Sequence, residues 1–509
     1  MIALGPAELQ LFRTTIAHRL GLRFDDGKLA FLAEVLTRRI GARRVDAAEY
    51  LASLAGDLDA DAELRALALE LTVGETYFFR HAEQFNALSE VVLPERASAR
   101  AKSRILRLLS VGCASGEEPY TLAILAQRQG LEPAFKLEIS GIDYNADSLA
   151  KARRGVYSAW SLRETPADVR ERWFQATERA FHLAPALREA VQFYQHNLVQ
   201  PSPELLPPGW YDVIFCRNVL MYFTPEHAAA IVERLTQALQ PGGYLFLGHA
   251  ETLRGLSQSF HLRHTHNTFY YQRKDVHETR ASAHSDRPEP ALRPAVLAPS
   301  GEWVDTWLQA VQQSSDRIRT LSDARPEESP AAPEASPPSL FGRSDLRQPL
   351  ELLQSERYAE ALDSLPESSN ADDGDAAELL LRAALLTHQG ELSPAETACR
   401  KLLQLDELNA GAHYLLALCF ERRENLVVAT EHDRTAIYLD AGFAMPHLHL
   451  GLMARRRRDN QTARHELGQA LWLLEREDPA RLLLFGGGFT RNALLKLCRG
   501  ELENLRAAT

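Results

Sequence analysis

The chain is poor in cysteine and has no excess of positive charge. Its five cysteines, Cys113, Cys216, Cys399, Cys419 and Cys498, are odd in number and scattered without a CxxC pair. That pattern excludes a disulfide scaffold and offers no ligand spacing for a structural zinc, so no metal is expected. With 57 Lys and Arg against 68 Asp and Glu, the formal charge is −11, the wrong balance for a nucleic-acid binder. No apolar run approaches the ~18 residues that suggest a membrane span, and the N-terminus lacks the charged-then-apolar order of a signal peptide. A cytoplasmic protein is expected, with no direct membrane insertion. What remains, 509 residues at 45% hydrophobic content, suffices for two or three globular units.

Leu108–Tyr120 reads LLSVGCASGEEPY: an apolar run, a turn of small residues, then two carboxylates. A buried parallel strand ending in such a turn lets backbone N–H groups approach a ligand. Glycines at Gly112 and Gly116 with Glu117 behind them depart from the GxGxxG dinucleotide fingerprint, and a carboxylate there repels pyrophosphate. The turn therefore favours S-adenosylmethionine, which carries an amino group, a sulfonium and a ribose, over NAD. Asp143 ends a second apolar strand 27 residues past Gly116, placed to accept both ribose hydroxyls; the plainer role for it is a helix cap. A third strand, Tyr211–Cys216, runs into Arg217, Asn218 and Tyr222, followed by a helix from Pro225 to Leu239 and the segment QPGGYLFLGHAETL. Alternating strands and helices predict a doubly wound α/β sheet with ligands at the strand ends.

Six motifs, in order, carry a resemblance: LTVGETYFFR (71–80), GCASGEEPY (112–120), GIDYNADSLAKAR (141–153), HNL (196–198), FCRNVLMYF (215–223) and LGHAETL (247–253). Residues from about 1 to 275 resemble the chemotaxis receptor methyltransferase (CheR) family, which esterifies glutamate side chains of chemoreceptors with S-adenosylmethionine, releasing S-adenosylhomocysteine. By that resemblance Thr76, Arg80, Glu117, Asp143, Asn197 and Leu198 contact the cofactor, Gly112 forms its turn, and Arg217 and Asn218 lie beside it. Arg80 and Tyr222 become the pair where methyl donor and glutamate meet. One position departs from the family: Gly74 stands where Asn is common. Without the resemblance Arg80 reads equally well as a surface cation beside the core residues Phe78 and Phe79.

A glutamate of ordinary pKa, about 4.3, is already the nucleophile at neutral pH, so no general base is needed. Alignment of carboxylate, methyl carbon and sulfur can supply roughly 7–11 kcal/mol. Arg80 and Tyr222 are accordingly assigned to orientation.

Upstream, residues 7 to about 70 show helical spacing and predict a small all-α domain. Arg38, Arg39, Arg43 and Arg44 cluster at the end of its second helix. They are either a solvated face that complements the helix dipole or a docking patch for acidic receptor helices. From about Asp275 to Asp345 the chain is rich in Pro, Ala, Ser and Glu and reads as a linker, with one short amphipathic stretch around Trp303. Beyond it Ala383, Ala417 and Gly451, then Ala395, Ala429 and Ala463, then Leu402, Ala436 and Ala470, recur at 34 residues. This period resembles the tetratricopeptide repeat (TPR), a helix-pair solenoid with a concave binding face.

The expected organisation is a receptor-recognition domain (1–80), a methyltransferase domain (81–275), a linker (276–345) and a TPR domain with a capping helix (346–509). Its expected partners are chemoreceptor cytoplasmic helices and an unidentified ligand of the repeats. The alternatives are a methyltransferase for another protein or a small molecule, and a scaffold acting through the repeats.

Overall fold

The computed structural model describes residues 4–55, 60–72, 76–131, 134–249, 251–275, 346–355, 357–365 and 375–507. Gly74, the Pro-rich linker and the stretch around Trp303 lie outside the described residues. The chain divides into two compact units, Met1–Ser285 and Asp286–Thr509.

The first unit opens with four helices: α1 (Pro6–Leu20), α2 (Leu29–Arg43), α3 (Ala47–Ala55) and α4 (Ala60–Leu71). Phe12, Ile16 and Leu20 on α1 and Leu32, Val35, Leu36 and Ile40 on α2 repeat at three- and four-residue steps, and all are buried in one cluster with Tyr50, Leu54 and Leu67. Each such side chain contributes about 1.5–3 kcal/mol by leaving water.

Ten strands follow: β1 (Ile105–Val111), β2 (Lys136–Asp143), β3 (Val156–Tyr157), β4 (Phe174–Ala176), β5 (Phe181–Leu183), β6 (Val191–Gln195), β7 (Tyr211–Cys216), β8 (Leu239–Leu247), β9 (Phe260–Thr265) and β10 (Thr268–Arg273). Seven form one sheet in the order β6-β2-β1-β7-β8-β10-β9. The pairs β6/β2, β2/β1, β1/β7 and β7/β8 are parallel; β10 runs antiparallel to both its neighbours. Strand β7 is buried along its whole length, as a central strand covered on both faces should be. The order reverses at β1, so a crevice opens beyond the carboxyl ends of β1 and β7, where such folds bind ligands. Strands β3, β5 and β4 make a separate antiparallel sheet, inserted between residues 155 and 184 of the larger fold.

The second unit is all helical among the described residues. Helices Ala376–Gln389 and Leu392–Leu405, Ala410–Arg422 and Leu426–Leu439, and Ala444–Arg456 and Asn460–Leu474 form three pairs at the 34-residue period. Ala383, Ala417, Ala395, Ala429, Ala463, Leu402, Ala436 and Ala470 have no exposed surface. At Gly451 a Cβ would stand 2.7 Å from Leu467 Cγ, so the series marks where paired helices approach most closely. A shorter helix, Pro479–Phe485, sets Phe485 against Tyr414 and Phe443, with ring centroids 5.9 and 5.1 Å away. The final helix is Arg491–Ala507.

Candidate active site

A cavity of about 820 Å³, counting its open mouth, lies over the reversal point. Each strand that points into it contributes the residues at or just past its end. Gly112 and Ala114 follow β1; Asp143 ends β2, with Tyr144 and Asn145 after it; His196, Asn197 and Leu198 follow β6; and Asn218, Val219, Tyr222 and Phe223 follow β7. Leu20, Leu22, Ala68 and Thr72 of the helical region form the opposite wall.

The turn after β1 needs its glycines. Gly112 and Gly116 have φ of +70° and +91°, and a Cβ on Gly112 would sit 2.3 Å from Val219 Cγ2. Asp143 caps this turn from the adjacent strand. Its Oδ2 accepts the Ala114 N–H and its Oδ1 the Asn145 N–H, both at 2.8 Å. Burial pushes its pKa up, against three backbone hydrogen bonds that lower it. Each oxygen keeps a second lone pair for a hydroxyl.

Glu251 fixes the loop after β7. Its Oε2 accepts the N–H groups of Asn218 and Gly248 at 2.7 Å, and its Oε1 those of Val219 at 2.8 Å and Met221 at 3.2 Å. Asn218 itself has φ +56°. Gly248 must be glycine for this approach, since a Cβ there would lie 2.7 Å from Glu251 Oε2 and 2.8 Å from the Asn218 nitrogen.

The helical wall is bound to the same loop. Arg23 N–H donates to the Tyr222 carbonyl and Thr224 N–H to the Gly21 carbonyl, each at 2.8 Å, and Leu22 pairs with Phe223 as an antiparallel bridge. Gly21 turns at φ +72°, with space for no side chain: a Cβ would meet Val199 Cγ2 at 2.5 Å. The Asn197 amide also donates to the Arg19 carbonyl at 3.3 Å.

Six of the residues singled out from the sequence thus meet in one cavity: Gly112, Asp143, Asn197, Leu198, Asn218 and Tyr222. Four others stand elsewhere. Thr76 and Arg80 are half-buried and do not line it. Glu117 lies beneath the turn, 2% exposed, accepting the Ser115 hydroxyl at 2.8 Å, and burial raises its pKa to about 7. Arg217 is a correction to the expected lining. Its guanidinium turns under the sheet edge, where Nη1 lies 3.3 Å from Glu118 Oε2 and Nη2 donates to the Arg80 carbonyl at 2.5 Å. It supports the turn that bears Arg80.

The basic cluster on α2 also divides. Arg39 is no docking cation: Nε and Nη2 each donate to Glu63 at 2.7 Å, and Tyr50 Oη donates to the same carboxylate at 2.7 Å. These contacts hold its pKa above the ordinary arginine value. Arg38 pairs with Glu70 at 2.9 Å, Arg43 lies 3.9 Å from Glu63, and Arg44 ends the helix in a left-handed conformation. Arg38, Arg43 and Arg44 stay chiefly toward solvent.

Sequence reading did not assign Glu251. It stands in the motif LGHAETL, yet it acts on backbone 30 to 33 residues away, a pairing that spacing cannot reveal.

The lining tests the cofactor. Among the described residues that form the cavity there is no Lys or Arg, while leucine, valine and phenylalanine stand beside one carboxylate and three asparagines. Such a lining fits an adenine and a ribose diol and lacks the cations a pyrophosphate needs. The sheet order and this cleft define an S-adenosylmethionine-dependent methyltransferase. Residues 74–269 match the family described as CheR methyltransferase, SAM binding domain. Chemotaxis protein methyltransferase 2 of Vibrio cholerae is 34% identical over 265 residues, covering 51% of this chain and 91% of that protein. The chemotaxis protein methyltransferase of Salmonella typhimurium is 32% identical over 268 residues, or 52% and 89% of the two chains. The probable biofilm formation methyltransferase WspC of Pseudomonas putida is 29% identical over 466 residues, 89% of this chain and 96% of that protein. The chain belongs to the CheR methyltransferase family.

Proposed function

We propose that the protein methylates glutamate side chains on the cytoplasmic helices of chemoreceptors, and that its repeat unit binds a protein partner. The supporting observation is the apolar cavity at the strand reversal, with Asp143 in its wall and the Tyr222 ring, 38% exposed, at its mouth. Bound S-adenosylmethionine supplies a methyl carbon activated by a sulfonium. Asp143 takes the ribose hydroxyls, and Gly112 and Ala114 bring backbone close to the methionine part. Thr76, Glu117, Asn197, Leu198 and Asn218 complete the cofactor shell, with Glu117 acting from behind the turn.

Tyr222 from the cavity wall and Arg80 from outside it orient an already ionised carboxylate. Tyr222 offers its hydroxyl and Arg80 its guanidinium, neither grip tight enough to blunt the nucleophile. In this reading residues 1–80 recognise the receptor, with Arg38, Arg43 and Arg44 as the exposed cations; 81–275 carry the chemistry; and 346–509 form a TPR domain tied on by a linker. The test is incubation with radiolabelled donor and receptor fragments, followed by mild base. Label released as methanol supports a glutamyl ester, and base-stable label refutes it.

The WspC match reaches through the repeat region. It favours a chemosensory pathway whose output is surface growth over one driving motility alone. Gene deletion scored for both phenotypes separates them.

A further inference from the structure

Beside the candidate centre, four side chains alternate cation and ring. The Arg80 guanidinium lies 5.7 Å from the Tyr77 ring centroid. The Arg163 guanidinium lies 3.5 Å from the same Tyr77 ring centroid and 4.2 Å from the Trp160 ring centroid. The sequence Arg80, Tyr77, Arg163, Trp160 is a ladder leading away from the residue assigned to the incoming carboxylate.

The ladder rests on rigid backbone. Phe78 N–H donates to the Ser161 carbonyl at 2.9 Å, joining the two segments that carry it. Beneath, Phe78 is fully buried and Leu162 is 1% exposed. Phe78 packs edge-on against Tyr157 and Phe174, at 4.9 and 5.0 Å. Tyr157 Oη donates to the Ser115 carbonyl at 2.9 Å, so the base of the ladder is tied to the cofactor turn. Arg163 Nη1 donates to the Trp160 carbonyl at 2.7 Å, which fixes the outermost rung.

Trp160 is nevertheless 66% exposed. An indole held in place yet left in water does little for the stability of its own chain. Trp, Tyr and Arg are the residues that concentrate binding energy at protein interfaces, and preorganised rungs cost little entropy on association. Two guanidinium groups, Arg80 and Arg163, lie beside the Tyr77 ring, against one carboxylate, Glu164, that acts on the same phenol. The surface is thus suited to an acidic partner with an apolar flank.

We propose that the ladder Arg80, Tyr77, Arg163 and Trp160 is where the acidic, glutamate-bearing helix of the substrate protein lies, and that it selects which glutamates reach the centre. The proposal rests on the esterification reading above. Taken end to end, the contacts reach no further than 9.2 Å from Arg80 to Arg163 and 13.4 Å to Trp160, and a helix rises about 5.4 Å per turn, so side chains within two to three turns of the reacting glutamate fall along Arg163 and Trp160. Arg163 pairs with an acidic side chain while its faces stay stacked, and Trp160 covers an apolar one.

Trp160→Ala and Arg163→Lys test it in the full-length protein, against wild type, with a receptor fragment as substrate and isothermal titration of S-adenosylhomocysteine as control. The lysine keeps charge but loses the planar stack. We expect KM for the fragment to rise about tenfold in each variant, with kcat within twofold and product affinity unchanged. A KM within twofold of wild type in both variants overturns the inference while leaving esterification standing. A wild-type chain that binds S-adenosylhomocysteine but labels no receptor fragment overturns the functional reading, and the inference with it.

Discussion

Glu251 Oε2 lies 2.7 Å from the Asn218 backbone nitrogen, and that contact is one of three through which a single carboxylate shapes the loop after β7. Asn218, Val219 and Tyr222 all reach the cavity from this loop. Glu251 is 5% exposed, so its charge is offset by these amides and not by water.

Glu251→Gln replaces one acceptor oxygen with an NH2 group facing N–H donors. Hydrogen bonds to a charged group contribute roughly 1.5–3 kcal/mol each, and the loop loses at least one of them. We expect S-adenosylhomocysteine affinity to fall by at least tenfold and the first unit to melt earlier. Calorimetry and titration check both; unchanged affinity would show that the loop keeps its shape without the clamp.

Arg80→Ala and Tyr222→Phe remove orientation without opening the core. Misplacement of a reacting group by about 1 Å can cost on the order of 10²-fold, and we expect losses of that order in methyl transfer. Circular dichroism should stay close to wild type in both, and cofactor affinity in Tyr222→Phe. Full activity in both variants would remove these residues from the mechanism.

Glu117 gives a pH dependence. Its pKa is raised to about 7 by burial, against hydrogen bonding from Ser115, so in the cofactor-free protein it is largely protonated below that pH. If the ionised form faces the bound cofactor, affinity for S-adenosylmethionine weakens as pH falls from about 8 to 6, and binding releases protons there. Glu117→Gln should flatten the profile in that window, as titration in buffers of different ionisation enthalpy would register.

The second unit has its own charged core. His449 Nδ1 lies 2.7 Å from Asp433 Oδ2 and Nε2 lies 3.0 Å from Glu421 Oε2, with all three side chains buried. Burial alone would lower the imidazole pKa; the two carboxylates outweigh it and bring it to about 10. A histidine raised in this way contributes stability in full below its unfolded value, about 6.5, and loses it as pH rises through 10. The calorimetric transition of this unit should therefore fall between pH 7 and 10. His449→Leu, which strands two buried carboxylates, should cost about 3–5 kcal/mol and remove the alkaline slope.

Much of this was legible from local pattern. The apolar run before Gly112 is β1, Asp143 is the last residue of β2, and the strand read as Tyr211–Cys216 has those bounds. The 34-residue series is legible because mostly small side chains, with Leu402 the exception, stand where paired helices meet. Contacts between distant segments were not legible. Arg39 reads as an exposed basic residue until Glu63, 24 positions on, folds against it. Arg217 stands at a strand end, where ligands bind, but the direction of its side chain depends on Glu118 and the Arg80 carbonyl. Gly21 looks like an ordinary helix stop, and nothing nearby in sequence announces Val199 or Phe223.

That glycine makes a further demand on the molecule. Two amide-to-carbonyl bonds flank the Leu22–Phe223 bridge, splicing the segment after α1 onto the stretch that holds Tyr222. Whatever leans on the four-helix cap therefore leans on the phenol as well. If residues 1–80 recognise the substrate protein as proposed, a partner that shifts the cap carries the hydroxyl along, so grip and aim are coupled through these bonds.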